Sequence, residues 1–244
     1  MIIIHDIRLP SVYLDGIQDR FPLAELFPFS SEKPKVYSSI SCHPDIYFFQ
    51  LDQHTLVHAP GANRELLGKL KDRGIHLIRG DKDPRDQYPS TVLYNAARVG
   101  SKVFLNKKHV DKAVLENIEL KGLIPVDVSQ GYARCSILAA GDNALITSDR
   151  KIAVSARKSG MEVLEISFGF VDLPGEKHGF IGGAGALTAE GDVVVIGDLR
   201  FHPQGQEIAS FVSSHNIYSR GPVFLETLPL YDAGSLLFLS SPEK

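Results

Sequence analysis

The segment Gln130–Asp149, QGYARCSILAAGDNALITSD, decides the fold. It reads as a strand, a tight turn at Gly141-Asp142-Asn143, a second strand and the start of a helix. Cys135 falls in the first strand. Ser148 and Asp149 offer side-chain oxygens to the unpaired amides of a helix over Arg150–Lys158. Gly160 stops that helix, and the apolar run Met161–Ile166 follows as a third strand. The unit is β-turn-β-α-β, about 35 to 40 residues long, and such a period signals a repeat architecture.

Versions of the unit recur on both sides. Asp45–Val57 reads as a hairpin turning near Asp52-Gln53, followed by an amphipathic helix at Ala62–Arg73, a stop at Gly74 and a strand at Ile75–Ile78. After the polar loop Gly80–Ser90, strands at Thr91–Ala97 and Lys102–Leu105 flank Gly100-Ser101. A helix at Val110–Leu120, a stop at Gly122 and a strand at Leu123–Val128 complete that unit. Downstream, Phe180–Leu187 and Asp192–Ile196 form a hairpin turning at Glu190-Gly191, with a helix at Gln206–Ser214 and a strand at Pro222–Leu225. Asn216 takes the stop position that glycine holds elsewhere. Asp232–Leu239 opens a last hairpin with no helix after it. The chain begins with what that unit lacks: a strand at Ile2–Ile7, then partial helical spacing over Ser11–Leu26, broken by Gly16 and Pro22. A loop over Pro28–Pro34 and a short strand at Lys35–Ser39 lead into the first full unit.

The unit starts align at Asp45, Asn95, Cys135, Gly182 and Asp232, spaced by 50, 40, 47 and 50 residues. One such unit cannot bury its own helix face, so the units must pack on one another. The expected fold is α/β: a single domain, residues 1–244, of five ββαβ units closed into an α/β-propeller by the N-terminal and C-terminal segments.

Composition limits the function. At 43% hydrophobic and 23% charged, the 244 residues have the balance of a packed globular protein. A net charge of -3 and scattered basic residues argue against a nucleic-acid partner; Lys107-Lys108-His109 is too short to track phosphates. Two cysteines, Cys42 and Cys135, allow one disulfide but no disulfide framework, and cannot alone close a structural zinc site. The apolar start MIIIHDIRLP is interrupted at His5 and Asp6, unlike a signal peptide, and no window has the length of a membrane span. A cytoplasmic protein is expected, with no cofactor, no metal and no membrane partner.

A ring of five ββαβ units resembles the pentein fold of the guanidine-modifying enzymes, among them arginine deiminase, dimethylargininase, agmatine deiminase and glycine amidinotransferase. More closely, the chain resembles an uncharacterised bacterial family of the same expected fold. The stretches that carry the likeness are QGYARCSI (130–137), ALITSD (144–149), LPGEKHGFIGGAGAL (173–187) and LYDAGSLLFL (230–239). The resemblance implies a cysteine nucleophile, a histidine proton carrier and acidic residues that hold a guanidinium around the ring axis. In those enzymes the cysteine lies in the last unit. Here Asp232-Ala233-Gly234-Ser235 stands in that place and no cysteine follows Cys135; Ser235 is the only oxygen nucleophile there. Gly182–Ala186 echoes a glycine-rich motif of agmatine deiminase without its histidine and cysteine.

Cys135 is therefore the candidate nucleophile, with His43 or His178 as proton carrier. Arg134 would lower the thiol pKa only if both side chains point the same way, and strand neighbours alternate. In Cys42-His43-Pro44-Asp45, His43 and Asp45 would face one side of a strand, although Pro-Asp also suits a turn. Lys177-His178 precedes Gly179 and Gly182-Gly183, a loop that could cover the cavity mouth or form a plain turn. If unit starts face the axis, Asp45, Asn95, Cys135, Gly183 and Asp232 line one cavity, with Arg98 beside Asn95 as a further ligand-binding candidate. Two carboxylates, an amide and a thiol suit a cationic, hydrogen-bonding ligand. Asp198 and His202, even with His178, lack metal-cluster spacing.

Two functions follow. One is a binder of a small polar metabolite, guanidino or amidino by resemblance, with hydrolase or transferase chemistry at a C–N bond. The alternative is a non-catalytic scaffold for a protein partner. The axis tells them apart: catalysis needs Cys135 within reach of a histidine and a carboxylate pair, whereas a scaffold would have a filled axis.

Overall fold

The computed structural model describes residues 1–32, 35–215 and 222–242. In chain order, β1 (Ile2–Asp6), α1 (Ser11–Arg20) and β2 (Glu25–Phe29) form the N-terminal segment. A one-turn helix, α2 (Pro44–Tyr47), leads into β3 (Phe48–Asp52), β4 (Thr55–His58), α3 (Arg64–Asp72) and β5 (His76–Arg79). Then come β6 (Ala97–Val99), β7 (Lys102–Leu105), α4 (Lys112–Leu120) and β8 (Ile124–Asp127). A second one-turn helix, α5 (Ala133–Ser136), precedes β9 (Ile137–Gly141), β10 (Ala144–Thr147), α6 (Arg150–Lys158) and β11 (Glu162–Glu165). The remainder is β12 (Val171–Asp172), β13 (Gly185–Leu187), β14 (Val193–Val195), α7 (Gly205–His215), β15 (Val223–Phe224), β16 (Leu230–Tyr231) and β17 (Leu237–Leu239).

Among the described residues the strands make five three-stranded sheets of one pattern and a two-stranded sheet, β12 with β16. In each three-stranded sheet the middle strand runs antiparallel to one neighbour and parallel to the other, with a helix between the parallel pair. The sets are β3-β4-β5, β6-β7-β8, β9-β10-β11 and β13-β14-β15. The fifth joins the two ends of the chain: β17 lies antiparallel to β1, with Ile3 opposite Phe238, and β1 lies parallel to β2. Pro28 is tolerated because β2 is an edge strand.

The helices sit where apolar spacing meets a cap. The side chains of Asn63, Asp111 and Asp149 accept from the first-turn amides of α3, α4 and α6. Gly74, Gly122 and Gly160 follow the same helices at positive φ. The inner faces bury Leu66 and Leu70, then Ala113, Val114 and Ile118, then Ile152, Ala153 and Ala156. Each fully buried leucine or isoleucine contributes about 1.5–3 kcal/mol.

Several elements differ from the sequence reading, and five of the differences have one cause. Cys135 and Asp45 lie in one-turn helices, not strands, and the strands of their units begin at Ile137 and Phe48. Asn95 lies in a turn before Ala97, Gly183 in a turn before Gly185, and Asp232 in a turn before Leu237. Each innermost strand starts two to five residues late because its polar first residues coil around one another instead of pairing. Helix α1 runs through Gly16 to Arg20, since a side chain there would strike the Leu225 carbonyl. Glu25–Phe29 is a strand where a loop was expected, and Lys35–Ser39 gives way to a 3-10 turn at Ser38–Ile40. The stop expected at Asn216 lies outside the described residues.

Ile3→Ala, at the join of the two chain ends, should destabilise the protein by about 2–5 kcal/mol, and Asp149→Ala by about 1 kcal/mol, in chemical denaturation. Equal, small effects would show that the end-to-end sheet does not hold the fold.

Candidate functional site

The coiled starts of the innermost strands bring their polar side chains to one place. Pro44 opens α2 and sets Asp45 facing inward, fully buried. The turn of α5 points Cys135 at it. The Cys135 thiol donates to Asp45 Oδ2 at 2.9 Å, and Asn95 Nδ2 donates to Cys135 Sγ and to the Asp45 carbonyl, each at 3.1 Å. Asn95 Oδ1 in turn accepts from the amides of Arg134 and Cys135. Gly183 donates its amide to the Cys135 carbonyl and accepts from the amides of Ala233 and Ser235. A side chain at Gly183 would sit 1.9 Å from Asp232 Oδ1, so only glycine fits there. Asp232 accepts from the amides of Gly234 and Phe180. Asp45, Asn95, Cys135 and Gly183 are therefore directly hydrogen-bonded, and Asp232 joins them through Gly234, whose amide it takes and whose carbonyl accepts from the Asp45 amide.

His43 joins this cluster. Its Nδ1 lies 3.9 Å from Asp232 Oδ1 and its Nε2 3.8 Å from Asp6 Oδ2, the same oxygen that Arg8 Nη2 holds at 2.6 Å. His43 Nδ1 and Asp45 Oδ1 are buried and make no hydrogen bond. His43 precedes α2 and does not share a strand face with Asp45; it reaches Asp232 instead.

Electrostatics oppose an activated thiol at rest. Burial, and then the charges of Asp45 and Asp232, push the Cys135 thiol well above its ordinary pKa. Burial raises the Asp232 carboxyl too, with His43 opposing. Burial pushes the Arg134 guanidinium down, and Asp45, Cys135 and Asp232 counter it. Arg134 gives no hydrogen bond to the thiol. It donates to the carbonyls of Ile137, Gly182 and Gly185 and to Ser235 Oγ, across the axis.

Two candidates stand apart. His178 is half-buried, edge-on to Phe168 and Phe180, with Nδ1 3.2 Å from the Gly179 carbonyl. Arg98 lies in β6, bonded to the Gly100 and Leu51 carbonyls, and lines a separate cavity of about 410 Å³. Sequence reasoning missed Asp6 and Arg8, which carried only the mark of a polar break after an apolar strand. It also missed the cover: Tyr37 and Tyr132 share a hydrogen bond between phenols, Tyr132 pairs with Thr91, and its ring stacks on Phe180. Asp198 forms an ion pair with Arg200, and among the described residues no three His, Cys, Asp or Glu side chains are placed to hold a metal ion together. None of their helices is long and apolar enough to cross a membrane.

This architecture is shared with solved proteins. The chain is similar to DDAH from Pseudomonas aeruginosa, a cysteine-to-serine mutant complexed with citrulline: 10% identity, TM-score 0.56, 93% of this chain and 92% of that one. It is similar to inosamine-phosphate amidinotransferase from Streptomyces griseus: 11% identity, TM-score 0.52, 95% and 80% covered. Agmatine deiminase from C. jejuni matches at 10% identity and TM-score 0.50, over 92% and 87%. These are pentein-fold proteins, and at such identities the likeness defines the fold class. Residues 27–237 match the Family of unknown function (DUF6873), and the chain belongs to that family. No curated protein matches it.

Iodoacetamide at neutral pH should modify half-buried Cys42 at least about tenfold faster than buried Cys135. Asp45→Asn should lower the Cys135 pKa, because it removes the negative charge beside the thiol. Peptide mass spectrometry across a pH series reads both, and an unchanged Cys135 profile would show that Asp45 does not hold the proton.

Proposed function

We propose that the protein binds a small cationic metabolite, a guanidino or amidino compound, at the buried carboxylate cluster. On this reading the five like sheets close as a five-unit α/β-propeller, one domain over residues 1–244, working in the cytoplasm with the cluster at its axis. The observation that carries it is the pairing of two buried carboxylates, Asp45 and Asp232, with two polar atoms, Asp45 Oδ1 and His43 Nδ1, that no protein group satisfies. A planar cation with paired N–H donors matches such acceptors. The structural relatives act on compounds of this kind, as the names agmatine deiminase and amidinotransferase say, which supports the choice of ligand.

The bound cation would reverse the local field. A positive charge beside Cys135 favours the thiolate, and Asp45 Oδ2 already accepts the S–H proton. Covalent chemistry here would run through Asp45: the proton passes to its carboxylate as Sγ bonds to the amidino carbon, and the C=N electron pair moves to nitrogen. His43, facing Asp232 and Asp6, is placed to hold a proton for the leaving amine. His178 makes its hydrogen bond to the Gly179 carbonyl and its ring contacts to Phe168 and Phe180, outside the cluster. A non-catalytic scaffold for a protein partner draws support from the bonds the cluster makes within itself.

The test is thermal unfolding and calorimetry with arginine, agmatine and guanidinoacetate. A true ligand at 100 times its Kd stabilises the fold by about 2.7 kcal/mol. Asp45→Ala and Asp232→Ala should abolish that gain. The raised carboxyl of Asp232 sets the pH dependence: only its ionised form attracts the cation, so affinity is full above its raised pKa and falls as pH drops through it. The loss should therefore begin at a higher pH than for an ordinary aspartate. No stabilisation by any cation in the panel would overturn the binding reading and leave the scaffold.

A further inference from the structure

The unit-start cluster occupies the N-terminal ends of β3, β6, β9, β13 and β17. The same strands run on to their hairpin turns, and they enclose the cavity of about 410 Å³. Its walls run from the first residues of those strands, with Ala96, Arg134 and Leu236 just before them, to the turns at Gln53, Gly100, Asp142 and Thr188. Neither Asp45 nor Asp232 lines the cavity, and the ligand proposed above does not use it.

Its chemistry is the reverse of the cluster's. About half of the exposed wall is apolar, supplied by Phe48, Ile137, Ala139, Leu187 and Leu237 among others. Two guanidinium groups, Arg98 and Arg134, line it. Among the described residues no carboxylate lies within ion-pair distance of either. Of the two aspartates at the rim, Asp52 is already paired with Lys121 at 2.8 Å and takes the His54 amide. Arg98 spends its Nε and one Nη1 proton on backbone carbonyls, which leaves its Nη2 without a protein acceptor. Arg134 spends both Nη groups, which leaves its Nε. The amide of Gln50, a further polar wall group, is held by the Phe238 carbonyl at 2.6 Å.

We propose that this cavity is a second ligand site, which binds a small organic carboxylate with an apolar body through Arg98 and Arg134. A guanidinium offers planar, paired donors that match a carboxylate, and the few free donors suit two acceptor oxygens better than the larger acceptor set of a phosphate. The apolar part of the wall takes the rest of the molecule, as a ligand pocket of this size usually does. Arg134 serves both sites, since its charge also balances Asp45 and Asp232. A carboxylate in the cavity would draw on that same charge.

Calorimetry of the full chain against isovalerate, benzoate and acetate, at fixed ionic strength, tests this. The expected result is saturable binding at one site per chain, with isovalerate or benzoate tighter than acetate. Arg98→Gln should weaken it at least about tenfold, the loss of a charge-assisted hydrogen bond. Ala139→Leu, which fills the cavity without altering any charge, should abolish it. Circular dichroism checks that both variants fold. In the wild type, the side-chain Nε–H resonance of Arg134 should shift on saturation, a readout that no variant is needed for. No saturable binding of any of the three acids, binding indifferent to Arg98→Gln, or an unmoved Arg134 resonance would each overturn the proposal.

Discussion

Two carboxylates, Asp45 and Asp232, are buried within one cluster, and much of the local structure answers to that. An isolated buried carboxylate costs several kcal/mol even after relaxation. The chain meets the cost with donors of its own. Asp232 takes two backbone amides, Asp45 takes the Cys135 thiol, and the Arg134 guanidinium supplies a compensating charge nearby. These partners demand particular backbones. The turns α2 and α5 aim Asp45 and Cys135 inward, Gly183 leaves room for Asp232, and Ser235 accepts a left-handed φ of 68° so that its amide reaches Gly183. The innermost strands begin only after that network is complete.

The same constraint sets the chemistry. A thiol next to two buried carboxylates keeps its proton, so at rest it is not a nucleophile in waiting. What would change this is a cation, because it supplies the missing charge to Asp45 and Cys135 together. Arg134 divides the axis. On one side its charge serves the carboxylates, and on the other it lines a cavity of mixed polar and apolar wall together with Arg98.

The sequence alone determined the repeated order of hairpin, helix, glycine stop and strand, because apolar periodicity, caps and left-handed glycines are local signals. Asp149 before α6 and Gly160 after it were readable residue by residue. It also marked Asp45, Asn95, Cys135, Gly183 and Asp232 as equivalent positions, since each heads the same pattern. Tertiary structure decided what those residues do. That they cluster, that Asp45 and not a histidine accepts the Cys135 hydrogen bond, and that Arg98 and His178 stand apart depend on contacts between units 40 to 90 residues apart in sequence. Such contacts override the local preference for a strand and coil the unit starts into turns. No local pattern encodes them, because a side chain's partner across the axis is set by how whole sheets pack.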